Sequence, residues 1–155
     1  MAQSNFEKMM KLADEVFDVR NDPDQLNVDE KIIKRLQKMH PAAVSEYKDA
    51  VCWILVIPTT LDLMNKFLKN NITESELFEL TPLKAKYEAI YLCSAMVLPE
   101  YRSKGIAKKL TIEAIESIKK DHPIKALFVW AFSKEGEGLA ENVALKTGLA
   151  LSKKK

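Results

Sequence analysis

Only two of the 155 residues are cysteine and two are histidine. Cys52 and Cys93 each sit alone in an apolar run, so they form neither a disulfide framework nor a zinc ligand set and read as buried free thiols. His40 and His122 each precede a proline at a predicted helix end, a place for caps or exposed side chains, and no metal constellation surrounds either. An excess of one charge is also lacking. Against 22 acids stand 24 Lys and Arg, leaving +2, and part of that lies in the terminal Lys153, Lys154 and Lys155, read as a solvated tail. Nucleic acid is therefore not an expected partner. No apolar run approaches the roughly 18 residues of a membrane helix. The opening MAQSNFEKMMKLADEVF carries acids and lysines throughout, unlike a signal peptide, so the expected location is the cytoplasm, with no membrane partner. Repeats, low-complexity segments and Pro/Gly-rich linkers are absent. One domain over residues 1–155 is expected, with 47% hydrophobic residues to fill its core.

What is present is a regular alternation of patterns. Phe6, Met9, Met10, Ala13, Val16 and Phe17 predict a helix over 4–18 capped by Ser4. Ile32, Ile33, Leu36 and Met39 predict another over 28–39, starting near Asn27 or Asp29 and stopping before Pro41. AVSEY and AVCWILVI, parted by Lys48 and Asp49, predict a hairpin whose second strand is covered on both faces and ends at Pro58. Two short helices follow at 61–68 and 74–80, the second with a capping box at Thr73 and Glu76. Residues 89–98 and 126–132 read as doubly buried strands, with a clear amphipathic helix over 105–120 between them. A helix over 139–146 ends at Gly148, and LALS is a short last strand. Trp53 and Trp130 lie in these strands and read as core. The order describes a mixed α/β sheet with helices on both faces.

One of only four glycines falls in YRSKGIAKKL, residues 101–110, between a strand and a helix. The first turn of a helix leaves backbone N–H groups unpaired at the positive end of its dipole. Gly105 and the small Ala107 let the backbone approach an anion, and Arg102 and Lys104 add formal charge. Such a turn suits a pyrophosphate. The chain has neither a Gly-x-x-x-x-Gly-Lys-(Ser/Thr) loop nor a Gly-x-Gly-x-x-Gly motif.

The longer stretch SAMVLPEYRSKGIAKKLTIEAI resembles the acetyl-CoA-binding segment of the GNAT superfamily of N-acetyltransferases, on Pro99, Glu100, Tyr101, Arg102, Gly105 and Ala107. ALFVWAF and LAENVALKTGLAL look like that family's next strand, helix and final strand. The likeness covers residues 88–151 well and about 43–57 loosely. It implies an α/β (α+β) fold with a mixed, mostly antiparallel central sheet, helices on both faces and a helical insert at 58–87 between the third and fourth family strands. It also implies that main-chain groups of Ala95, Met96 and Val97 line the pantetheine arm of acetyl-CoA. Arg102, Ser103, Lys104, Gly105, Ile106, Ala107 and Lys108 would hold the pyrophosphate. No metal is implied. The partner is a small-molecule or peptide amine acceptor, and a homodimer is left open.

Acyl transfer to an amine needs a base for the amine, a donor for the developing oxyanion and a proton for the departing thiolate. The resemblance implies direct attack on the thioester, with an N–H near Met96 and Val97 polarising the carbonyl. The family's usual acid, a tyrosine four residues before the helix-ending glycine, is replaced by Ala144. Ser133, Tyr91 or water are the substitutes, and Tyr91 or Glu88 the candidate bases. Tyr91 reads equally as a core ring with a bonded hydroxyl, and Glu88 as a solvated strand end. Asp62, Glu74, Glu76 and Glu79 in the insert either favour a cationic amine or simply solvate a helix. Two rivals stand beside the enzyme: an acyl-CoA-binding sensor without catalysis, and a protein-interaction domain using the insert's apolar faces.

Overall fold

The computed structural model describes residues 4–5, 7–12, 30–47, 50–102, 104–130 and 134–154. Residues 7–12 are helical, and Ser4 caps them by accepting from the Glu7 amide at 3.2 Å. The rest of the expected first helix, the Asn27 and Asp29 starts, and Lys48 and Asp49 lie outside the described residues.

Helix α1 spans Glu30–Met39 and buries Leu36 and Met39. His40 then caps a 3-10 turn over Pro41–Ala43, its Nδ1 accepting from the Ala42 amide at 3.0 Å. Strands β1 (Val44–Tyr47) and β2 (Cys52–Thr59) form the expected hairpin, with Ala50 in the left-handed region at φ 55°. Pro58 does not end β2, contrary to expectation. Beyond Leu55 there is no β1 residue to pair with, and the Thr59 carbonyl turns toward the other side to accept from Glu88. The N–H that proline lacks therefore faces no partner strand.

Helices α2 (Leu61–Leu68) and α3 (Glu74–Leu80) form where expected, each capped by a threonine, with the full capping box at Thr73 and Glu76. After β3 (Ala89–Val97) and a 3-10 turn at Pro99–Tyr101 come α4 (Ile106–Asp121), β4 (Ala126–Val129), α5 (Lys134–Thr147) and β5 (Ala150–Lys153). α5 starts five residues before the expected Leu139 and carries Gly136 and Gly138 in its opening turns. Gly148 takes φ 72° just past its end.

The five strands lie in sequence order, β1-β2-β3-β4-β5. The expected antiparallel majority does not form. β1–β2 and β2–β3 are antiparallel, while β3–β4 and β4–β5 are parallel, because α4 and α5 each carry the chain back to the starting edge. The fold is thus α+β around a mixed sheet. Two like-handed crossovers stepping the same way leave α4 and α5 on one face, and the two helices pack together.

The opposite face belongs to α2. Its Phe67 ring meets Tyr91 at 5.1 Å and Phe128 at 5.8 Å, both edge-on, and all three are fully buried. Their neighbours Ile90 and Leu127 point to the α4 side and are equally buried. Each such side chain stabilises the fold by roughly 1.5–3 kcal/mol. Among the described residues no helix is long and apolar enough to cross a membrane.

Candidate functional site

β3 outruns its parallel neighbour. Pairing with β4 stops at Leu92 and Val129, yet β3 continues to Val97 along β2. Its register against β2 slips between Leu55 and Val56, which face Ser94 and Leu92, so the strand bulges at Cys93. Past this bulge the Leu98 amide donates to Val51 at 2.9 Å, so by alternation the amides of Val97 and Ala95 face away from β2 into the gap beside β4. The Val97 carbonyl shows the same direction, since it accepts from Arg102 Nε at 3.1 Å. Among the described residues no strand pairs with this edge.

That gap opens into a cavity of about 820 Å³. One wall is the β3 edge from Cys93 to Val97, and a second is the start of α4 from Gly105 to Lys108. The opening turns of α5 form the third. Trp130, directly after the last paired residue of β4, lines the place where the strands part.

At the far end Gly105 is the N-cap of α4 with φ 74°. A Cβ there would meet nothing within 4 Å, so the left-handed backbone, not crowding, calls for glycine. Among the described residues no side chain caps this helix, and no acid stands in its first turn. Its first internal bond runs from the Lys109 amide to Gly105 at 3.0 Å, so the amides of Ile106, Ala107 and Lys108 precede the ladder. Sixteen residues of aligned peptide dipoles end here. Arg102 and Lys108 line the cavity, whereas Lys104 stands exposed with its ammonium 5.7 Å over the Tyr101 ring. Ser103 lies outside the described residues. Glu100 bonds to Lys8 at 3.3 Å and thereby ties the N-terminal helical segment to this turn. Its own backbone amide, then Lys8, hold that carboxyl below the usual range.

The cofactor candidates are thus brought together: Ala95, Met96, Val97, Arg102, Gly105, Ile106, Ala107 and Lys108 share one cavity. The catalytic candidates are not. Tyr91 is fully buried, does not line the cavity, and donates its hydroxyl proton to Glu74 Oε2. Glu88 sits at the opposite end of β3, 3.2 Å from Lys125 Nζ. Ser133 lies outside the described residues. Ala144 is buried and does not line the cavity either. Of the insert's acids, Asp62 pairs with Lys66 at 3.2 Å, Glu76 serves the capping box, Glu79 is exposed, and Glu74 is fully buried against Tyr91. None of the four lines the cavity.

Several lining residues escape a reading by pattern. Cys93 and Ser94 flank the bulge, and bulges leave no mark in an apolar run. Gly136 and Gly138 line the α5 wall, and their crowding into one helix turn in a glycine-poor chain is a legible signal. Both tryptophans pack against the core as expected, but neither is fully buried. Trp53 is half-buried and its indole N–H donates to Glu46 at 2.9 Å, and Trp130 is half-buried at the cleft. Cys52 is buried as expected, and burial pushes its thiol up to about 11. Among the described residues no group of His, Cys, Asp and Glu is placed to hold a metal ion. No protein-family model matches the chain, and no curated protein or solved structure matches it.

Proposed function

We propose that this protein is an acetyl-CoA-dependent N-acetyltransferase of GNAT type, moving an acetyl group to a primary amine by direct attack. One observation carries the reading. The β3 edge that no described strand pairs with and the start of α4, which has no side-chain cap among the described residues, face one cavity, so strand-like donors and an anion seat lie along a single groove. An amide-rich pantetheine arm is suited to the first and a diphosphate to the second. The inner end, beside Trp130, then receives the thioester. There the amine nitrogen attacks the carbonyl carbon, the C–S bond breaks, and CoA leaves as a thiol after taking a proton. A main-chain amide at the β3 edge is the oxyanion donor.

A specific observation favours a second reading, a sensor that binds acyl-CoA without turning it over. Tyr91, Glu88 and Ala144 all stand outside the cavity, so none of the expected acid–base side chains that the structure describes reaches it. Titration calorimetry with CoA and acetyl-CoA, followed by release of free CoA over a panel of amines, tests both. The enzyme reading expects binding and amine-dependent CoA release. Binding without release on any amine moves the conclusion to the sensor. Absence of binding removes both.

A further inference from the structure

Lys153 ends β5 and Lys154 follows it, and the two side chains leave on opposite sides, as alternation requires. Lys153 turns to α5, where its ammonium pairs with Glu137 at 2.7 Å and also with Glu141. Lys154 is not the solvated tail residue its sequence context suggests. Its amide donates to Val129 at 2.9 Å, extending the β4–β5 ladder. Its ammonium then lies 3.8 Å from the centre of the Trp130 ring and 4.8 Å from that of Phe67. Two aromatic faces hold one cation through their ring quadrupoles.

The location is informative. Trp130 belongs both to this cation seat and to the cavity wall, at the point where β3 and β4 separate. From there to the α4 turn the β3 edge beyond its pairing with β4 runs about five residues, ~17 Å of strand. α4 and α5 wall the cavity, whereas Phe67 comes from α2 on the other face of the sheet. The seat therefore abuts the inner end of the cleft from the side opposite the anion-binding turn.

We propose that Trp130 and Phe67 form a seat for an alkyl primary ammonium resembling a lysine side chain, and that Lys154 fills it in the free protein as an internal competitor. Its use as the acceptor subsite rests on the acetyltransferase reading, but the seat and its occupant do not. Exchange of Lys154 for an incoming alkylammonium keeps the charge at the seat unchanged. A neutral or anionic acceptor gains no such exchange. Because Lys154 is tied into the ladder, it competes at high effective concentration, and a free amine binds weakly until Lys154 is displaced.

The test is calorimetric titration of butylammonium chloride into the full chain, with CoA titrated separately into the same samples. Lys154→Met keeps the aliphatic stem and removes the charge, and should bind butylammonium about tenfold more tightly than wild type or better. Adding Trp130→Leu should abolish that gain, while Trp130→Phe should keep part of it. Circular dichroism establishes that each variant is folded. Equal butylammonium binding by wild type and Lys154→Met, or a gain indifferent to both Trp130 changes, overturns the seat. CoA binding separates the two inferences. If CoA binds and Lys154→Met shows no gain, the seat falls and the cofactor reading stands. If Lys154→Met shows the gain and CoA does not bind, the seat stands and the acetyltransferase reading falls.

Discussion

The Tyr91 hydroxyl donates to Glu74 Oε2, and both residues are completely withdrawn from solvent. This bond ties the middle of β3 to the first residue of α3, so the helical insert is fastened to the sheet through its only fully buried carboxyl among the described residues. Tyr91→Phe removes the donor and keeps the ring that meets Phe67 and Phe128. The expected cost is about 1–2 kcal/mol in denaturant unfolding, with CoA affinity unchanged. Wild-type stability combined with lost turnover would instead return Tyr91 to the catalytic candidates.

Gly105 tests the proposed anion seat at the start of α4. At φ 74° an alanine is strained by about 1–2 kcal/mol, although its Cβ has room. Relief of that strain rotates the amides that open α4. Gly105→Ala should therefore weaken CoA binding several-fold while Gly105→Asn, which tolerates the left-handed region, weakens it less. Equal affinities for wild type and Gly105→Ala would show that these amides do not hold the ligand.

His122 sets an acid limit on stability. Its Nδ1 accepts from the Tyr87 amide at 3.3 Å, its ring stacks 4.7 Å from Tyr87, and the His40 ring lies 6.0 Å away. Burial first, and then the neighbouring His40, hold its pKa below the ordinary 6.5 in spite of Asp121. The unfolded chain thus binds this proton more readily than the folded one, and stability rises with pH across that interval. The contribution is whole above 6.5 and is lost as pH falls below it, levelling off under the folded pKa. Urea midpoints between pH 7.5 and 5 should fall for wild type and fall less for His122→Gln. Parallel slopes would remove His122 as the cause.

Cys52 should be chemically silent. With its thiol pushed up to about 11, roughly a thousandth is thiolate at pH 8, and the side chain is fully buried. Iodoacetamide at pH 8 should leave Cys52 unmodified by peptide mass mapping until denaturant is added. Rapid labelling of the native protein would mean that β2 opens locally.

Legibility followed sequence distance. The helices at 61–68 and 74–80, the Thr73–Glu76 box and the left-handed Gly148 are local events, written within a few residues of where they act. The Gly105 turn is equally local, and so is its chemistry: an uncapped helix start needs no distant partner to expose its amides. What local pattern leaves open is decided where neighbours come from far along the chain. Pro58 fits inside β2 because β1 is too short to need its N–H. Tyr91 looks available on its strand until α3 brings Glu74 to it. Trp130 packs against the core, and only the divergence of β3 and β4 gives it a second face on the cavity.

Composition and periodicity by themselves determined a mixed chain of short helices and strands, with one glycine-opened basic turn between a strand and a helix. Those properties come from backbone sterics and side-chain spacing within single elements. Tertiary structure alone decided that the sheet is half parallel, that β3 outruns β4 to leave a donor edge, and that Lys154 rests on Trp130 and Phe67. Strand pairing and ring contacts join residues tens of positions apart, and no local pattern records which partner the folded chain will supply.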